Sequence, residues 1–161
     1  MKFDQSRYAF AMAISGLSSM CISSLEAKFD VYRSWGWSED ELGSAFRKAP
    51  YCIKLSKENI MSKMNYFVNK MSYAPSYIAE QPSVLSYSLE KRIIPRCFVM
   101  QVLIAKGLVK EPPTLCTFLT LAGDKFLEKY ITPFKKEVPE LMNAYQGKGK
   151  MNGLDHCSSA L

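Results

Sequence analysis

Pro50 and Pro82 stand 32 residues apart, and the chain around one matches the chain around the other. Lys48-Ala49-Pro50-Tyr51-Cys52-Ile53 aligns with Glu80-Gln81-Pro82-Ser83-Val84-Leu85. Ser56 then meets Ser88, Glu58 meets Glu90, Met61 meets Ile93, Phe67 meets Val99 and Met71 meets Leu103. Pro112-Pro113 follows about one period later. Each copy reads as a helix, a proline stop, a short apolar turn and a capped longer helix. A period of roughly 20–50 residues in a helical chain is the mark of a solenoid, where each unit buries its apolar face against its neighbours. The tetratricopeptide period of about 34 is close, but its Trp/Gly/Tyr/Ala pattern is absent. The fold class is therefore all-α: a helical-repeat solenoid of about three units over residues 1–145, with a Gly-, Lys- and Ser-rich flexible tail at 146–161.

Local signals fill in the elements. Residues 7–22 read as a packed apolar helix with Gly16 inside it. Ser23-Ser24-Leu25-Glu26 has the spacing of a capping box, as does Ser38-Glu39-Asp40-Glu41. In such a box a serine oxygen accepts the amide proton three residues on, and the glutamate reaches back. Gly36 suits a left-handed helix stop. Leu42, Ala45 and Phe46 face inward, and Pro50 ends their helix. In 57–71, Ile60, Met64, Phe67 and Met71 fall within about 60° of one another at about 100° per residue. Met61 and Val68 extend that stripe, and Lys63, Tyr66 and Lys70 line a basic flank. Pro75 starts a short helix that Pro82 ends. Ser86 and Ser88 are candidate caps for a helix interrupted at Pro95 and stopped by Gly107. Pro112-Pro113 opens a helix through Leu121. Asp124 caps the next, with Phe126, Leu127, Tyr130 and Ile131 inward. Trp35 and Trp37 belong to the core and its rim.

Composition narrows the function. The one histidine, His156, lies in the polar tail, which removes histidine triads and His-rich metal sites. No Gly-rich phosphate loop, nucleophile elbow or metal-ligand cluster is present in the sequence, so neither an enzyme nor a cofactor is expected. The five cysteines, Cys21, Cys52, Cys97, Cys116 and Cys157, are odd in number and not paired at zinc-site spacing. They read as four reduced core thiols and one tail thiol. No apolar run reaches the roughly 18–20 residues of a membrane span.

The net charge of +6 is unevenly placed. Residues 1–46 carry four basic and six acidic side chains, 47–110 carry eleven and three, and 111–161 carry six of each. All the excess positive charge therefore lies in the middle segment. Such a segment attracts polyanions, nucleic acid foremost or an anionic membrane surface, and a solvated lysine-rich face is the alternative.

The run Pro82-Ser83-Val84-Leu85-Ser86-Tyr87-Ser88-Leu89-Glu90-Lys91-Arg92 resembles the mitochondrial transcription termination factor (mTERF) family. So do Ile94-Pro95-Arg96 with Gly107-Leu108-Val109, Gly36-Trp37-Ser38 leading to Phe46 and Pro50, and Lys125-Phe126-Leu127-Glu128-Lys129-Tyr130. The resemblance covers roughly residues 8–145, and the whole resembles the plant organellar branch. Two departures stand out. Lys54-Leu55-Ser56-Lys57 replaces a more hydrophobic turn, and Ser72 stands where the family usually has glycine. Family members usually carry more units and an organellar presequence, so the resemblance implies a truncated chain. It also implies triangular units of two α-helices and a 3₁₀ helix, stacked as a superhelix. The implied partner is double-stranded DNA, with RNA as the alternative, bound by a monomer in a basic groove. The implied role is regulation of organellar transcription or gene expression, in the mitochondrion or the chloroplast.

A groove that binds nucleic acid needs cations at phosphate spacing, and its affinity comes mainly from counterion release. The candidates are Arg47, Lys48, Lys54, Lys57, Lys63, Lys91, Arg92 and Arg96. Arg96 follows Pro95 at a helix start, and its guanidinium can bridge two phosphate oxygens or pair with Glu90. Tyr66 and Tyr87 are candidates for base stacking, with buried packing the stronger reading. A helical scaffold that takes a protein partner on its concave face is the competing hypothesis.

Overall fold

The computed structural model describes residues 22–139 and 141–146. The helix expected over 7–22 and the tail beyond Gln146 fall outside these residues, apart from Ile22. Among the described residues there is no strand. The chain divides into two compact units, 1–86 and 87–161.

The first unit runs α1 (Ile22–Ser34), α2 (Glu39–Lys48), a 3₁₀ turn (Pro50–Lys54), α3 (Lys57–Asn65) leading into a π turn (Tyr66–Lys70), α4 (Pro75–Glu80) and a second 3₁₀ turn (Pro82–Ser86). Ser23 is not a cap, because Ile22 before it is already helical. The second box forms as expected. Ser38 Oγ accepts the Glu41 N–H at 3.2 Å, and the Ser38 N–H donates to the Glu41 carboxylate at 2.8 Å. Pro50 and Pro82 end one helix and open the 3₁₀ turn that follows. A proline fits there because the first donors of a helix have no partner anyway. The core holds Tyr32 stacked on Trp37 with ring centroids 4.6 Å apart, and Phe46 edge-on to Tyr32. Trp35 sits half-buried at the rim, its indole N–H 3.4 Å from the sulfur of Met61. Met61 is 44% exposed and does not extend the buried stripe of Ile60, Met64, Phe67 and Met71.

The second unit begins with a π turn (Leu89–Ile93) that runs straight into α5 (Ile94–Ala105). It continues with α6 (Leu115–Thr120), α7 (Gly123–Tyr130), a 3₁₀ turn (Thr132–Phe134) and α8 (Leu141–Tyr145). The interruption expected at Pro95 takes the form of this π turn. The Ile93 and Ile94 amides reach back five residues, to Ser88 and Leu89, and Pro95 then falls in the first turn of α5 where no donor is demanded. Two caps differ from expectation. Thr114, not the proline pair, caps α6, because its side chain accepts the Thr117 N–H. Asp124 lies in the first turn of α7, after an Ala122 cap that offers no side-chain oxygen. Phe126, Tyr130 and Ile131 are buried as expected, and Leu127 is half-buried.

The repeat is visible in the helix ends. Ser56 and Ser88 each accept the amide proton three residues on, at 3.2 and 3.3 Å. Each long helix stops at a residue with positive φ: Gly36 (+88°), Ser72 (+58°) and Gly107 (+67°). The following amide then folds back, from Trp37 to Tyr32 O, from Tyr73 to Phe67 O and from Leu108 to Leu103 O.

The 32-residue alignment fails in one stretch, and the π turns explain it. In 89–93 the wide turn adds a residue early in the helix, whereas in the preceding copy the extra residue comes only at 66–70. Between the two the register is 33: Ile60 pairs with Ile93 and Met64 with Cys97, all fully buried. From the Tyr66–Lys70 turn onward the register returns to 32, with Phe67 and Val99 both buried. Met61 therefore corresponds to Ile94, and Lys63 to Arg96.

Candidate nucleic-acid interface

In the first unit four exposed cations flank the Pro50–Lys54 turn along the chain. Arg47 and Lys48 occupy the last turn of α2, Lys54 ends the 3₁₀ turn, and Lys57 opens α3. All four are exposed. Among the described residues no carboxylate pairs with Arg47, Lys48 or Lys57, and Lys48 Nζ lies 3.2 Å from the Glu80 carbonyl. Glu58, next to Lys57, is held below the usual carboxylate range by backbone hydrogen bonding at the helix start, by Ser56 and by the charge of Lys57. Three acids of the unit gather at Arg33 instead. Arg33 binds Glu39 at 2.7 Å, Asp30 at 2.8 Å and Glu26 at 3.1 Å, all near the surface. Four cations of the middle segment are thus surface groups, and three of the early acids are paired with Arg33.

Two candidates have a different role. Lys63 is 3% exposed, and its Nζ donates to the Leu85 carbonyl at 2.6 Å. Arg96 is 2% exposed, and its Nη1 donates to the carbonyls of Phe118 (2.8 Å), Leu119 (3.1 Å) and Leu121 (2.7 Å). Neither is a solvent-facing phosphate ligand, and Arg96 does not pair with Glu90. Both answer the carbonyls that a short helix leaves without partners at its end, where the helix dipole favours a cation. Lys28 repeats the arrangement one unit earlier, 2.8 Å from the Ile53 carbonyl. Ile53 and Leu85 are 32 residues apart, so Lys28 and Lys63 bind equivalent carbonyls. Burial lowers the Lys28 pKa. For Arg96, burial lowers it foremost, a hydrogen bond with Tyr145 raises it, and the charge of Arg92 lowers it again. Lys28 carried no signal as a cap in the sequence, and the Lys63–Arg96 equivalence was hidden by the one-residue π-turn offset.

Lys91 is exposed in the first turn of its helix. Arg92 is half-buried, with its guanidinium 4.4 Å from the centroid of the Tyr87 ring and a hydrogen bond to the Leu121 carbonyl. Tyr87 lies against this cation and Tyr66 packs edge-on against Phe67, and both tyrosines are half-buried. Cys52 and Cys97 are buried and Cys116 is half-buried. The Cys52 thiol donates to the Pro82 carbonyl, and burial pushes its pKa up to about 12. Among the described residues no group of His, Cys, Asp and Glu is placed to hold a metal ion, and no helix is long and apolar enough to cross a membrane.

These features define an all-α helical-repeat protein in which a cation on each long helix binds carbonyls of a short helical element further along the chain. The family model described as mTERF matches residues 15–127, and the chain belongs to the mTERF family. Proteins of this family are nucleic-acid-binding helical-repeat factors of organellar gene expression. No curated protein and no solved structure matches the chain significantly.

Proposed function

We propose that the protein binds double-stranded DNA through the exposed cations Arg47, Lys48, Lys54, Lys57 and Lys91 together with Arg92, and regulates transcription in an organelle, mitochondrion or chloroplast. The observation that carries this reading is the set of exposed cations flanking the Pro50–Lys54 turn in a chain of the mTERF family. Arg47, Lys48 and Lys57 are exposed and form no ion pair among the described residues, although Lys57 feels the charge of the adjacent Glu58, so their N–H groups are available to phosphates. Affinity would come from counterion release, with little discrimination of sequence by these side chains.

The test is fluorescence anisotropy of the full chain with labelled duplex DNA, duplex RNA and single-stranded RNA over a range of salt. Saturable duplex DNA binding that weakens steeply with salt is expected. Replacing Lys54 and Lys57 by glutamine should lower the slope of log affinity against log salt by about 0.9 for each phosphate that is no longer neutralised. No duplex binding at low salt by a folded, helical protein would overturn the reading. Preference for RNA would move the role to RNA metabolism.

A further inference from the structure

Arg92 and Arg96 lie one turn apart, and both donate to the same acceptor, the carbonyl of Leu121. Among the described residues no carboxylate pairs with either, and the Nε of each is buried without a hydrogen-bond partner. Two guanidinium charges on one carbonyl oxygen repel each other, so the site requires compensation. Arg96 has it, from two further carbonyls at the end of α6 and from the Phe126 ring 4.5 Å away. Among the described residues Arg92 has the shared carbonyl and the Tyr87 ring. It is also half-buried, so part of it faces solvent, beside the exposed Lys91. Its guanidinium is held by a ring on one side and a carbonyl at one N–H. That removes much of the entropy cost of fixing a long side chain on binding.

We infer that Arg92 is a preformed seat for a phosphate group, with Arg96 as the positioning residue that fixes the Leu121 carbonyl on which Arg92 is braced. The phosphate belongs to the DNA backbone, so this inference rests on the proposed function. A free phosphate compound offers the same chemistry, and the test separates the two. With Nε buried, the two Nη groups are the donors that can meet two phosphate oxygens, where lysine offers only a point charge.

The experiment uses the full chain as wild type, Arg92→Gln, Arg92→Lys, Arg96→Lys and the double variant Arg92→Lys/Arg96→Lys, with Lys135→Gln as a control and circular dichroism to confirm folding. Duplex DNA binding is titrated across salt, and thermal unfolding is followed with and without inorganic pyrophosphate. Arg92→Gln should lower the salt slope by about 0.9. Arg92→Lys should keep the slope but weaken binding about tenfold at low salt, as expected when a bidentate ionic hydrogen bond is removed. Arg96→Lys should weaken binding in the wild-type background and not further in the Arg92→Lys background, a pattern that simple destabilisation does not produce. Pyrophosphate should raise the melting temperature of wild type and not of Arg92→Gln. If wild type binds DNA but Arg92→Gln and Arg92→Lys leave affinity, slope and pyrophosphate protection unchanged, Arg92 is only a second cap of α6 and the inference is overturned. If wild type binds no DNA, the proposed function fails. Arg92-dependent pyrophosphate protection would then keep the seat as a site for a free phosphate compound, and its absence would overturn the seat as well.

Discussion

Replacing Lys63 by methionine should destabilise the protein and leave nucleic-acid binding intact. The substitution keeps an unbranched apolar stem of similar volume, so packing around Ile60 and Met64 changes little. It removes the Nζ that lies 2.6 Å from the Leu85 carbonyl. A hydrogen bond from a charged donor contributes about 1.5–3 kcal/mol, and an orphaned buried carbonyl costs about 1–3 kcal/mol. Against this, the variant escapes the cost of keeping an ammonium group out of water. The carbonyl end of the 3₁₀ turn already offsets part of that cost in the native protein, so the relief is incomplete. The net loss should be about 1–2 kcal/mol. For a chain of this length that corresponds to a fall of about 2–8 °C in Tm. Urea and thermal denaturation followed by circular dichroism measure it, alongside the salt dependence of duplex binding. Lys57→Met should behave in the opposite way, with unchanged stability and a salt slope lower by about 0.9. Unchanged stability of Lys63→Met together with a reduced salt slope would refute the reasoning and return Lys63 to the binding surface.

Three other outcomes are expected. Ser72 holds φ +58°, a conformation that carries a steric cost for any residue with a Cβ. Ser72→Gly should therefore raise stability by about 0.5–1 kcal/mol in urea denaturation, and a decrease would show that the serine side chain supports the turn. Cys116 should be alkylated in the native protein well before Cys52 and Cys97, as read by peptide mass spectrometry; equal rates would contradict the burial of the last two. Glu39 is held below the usual carboxylate range, foremost by its hydrogen bond with Arg33. A carboxylate with a depressed folded-state pKa contributes stability that is full above its unfolded-state pKa and is lost as pH falls through the folded-state value. Arg33→Gln should raise the Glu39 titration midpoint seen by NMR to the ordinary range and remove that acid-side dependence, and an unmoved midpoint would disprove the coupling.

Elements with local causes are legible in the amino-acid order alone. Ser38, Ser56 and Ser88 cap because a serine oxygen can reach the amide three residues on, whatever lies elsewhere in the chain. Gly36 and Gly107 end helices because they tolerate positive φ, and the apolar stripe of Ile60, Met64, Phe67 and Met71 marks a buried face through helical spacing alone. The period between Pro50 and Pro82 reveals the repeat. The fate of individual cations, by contrast, depends on the folded chain. Lys57 and Lys63 read alike in a list of basic residues, yet one is exposed and the other buried. The difference lies in the partner, a carbonyl at Leu85 that only folding brings to Nζ. The π turns act in the same way. A single added residue rotates every later side chain by about 100°. Nothing in the spacing shows where that residue is inserted, so the equivalence of Lys63 and Arg96 emerges only when the backbone hydrogen bonds are in place.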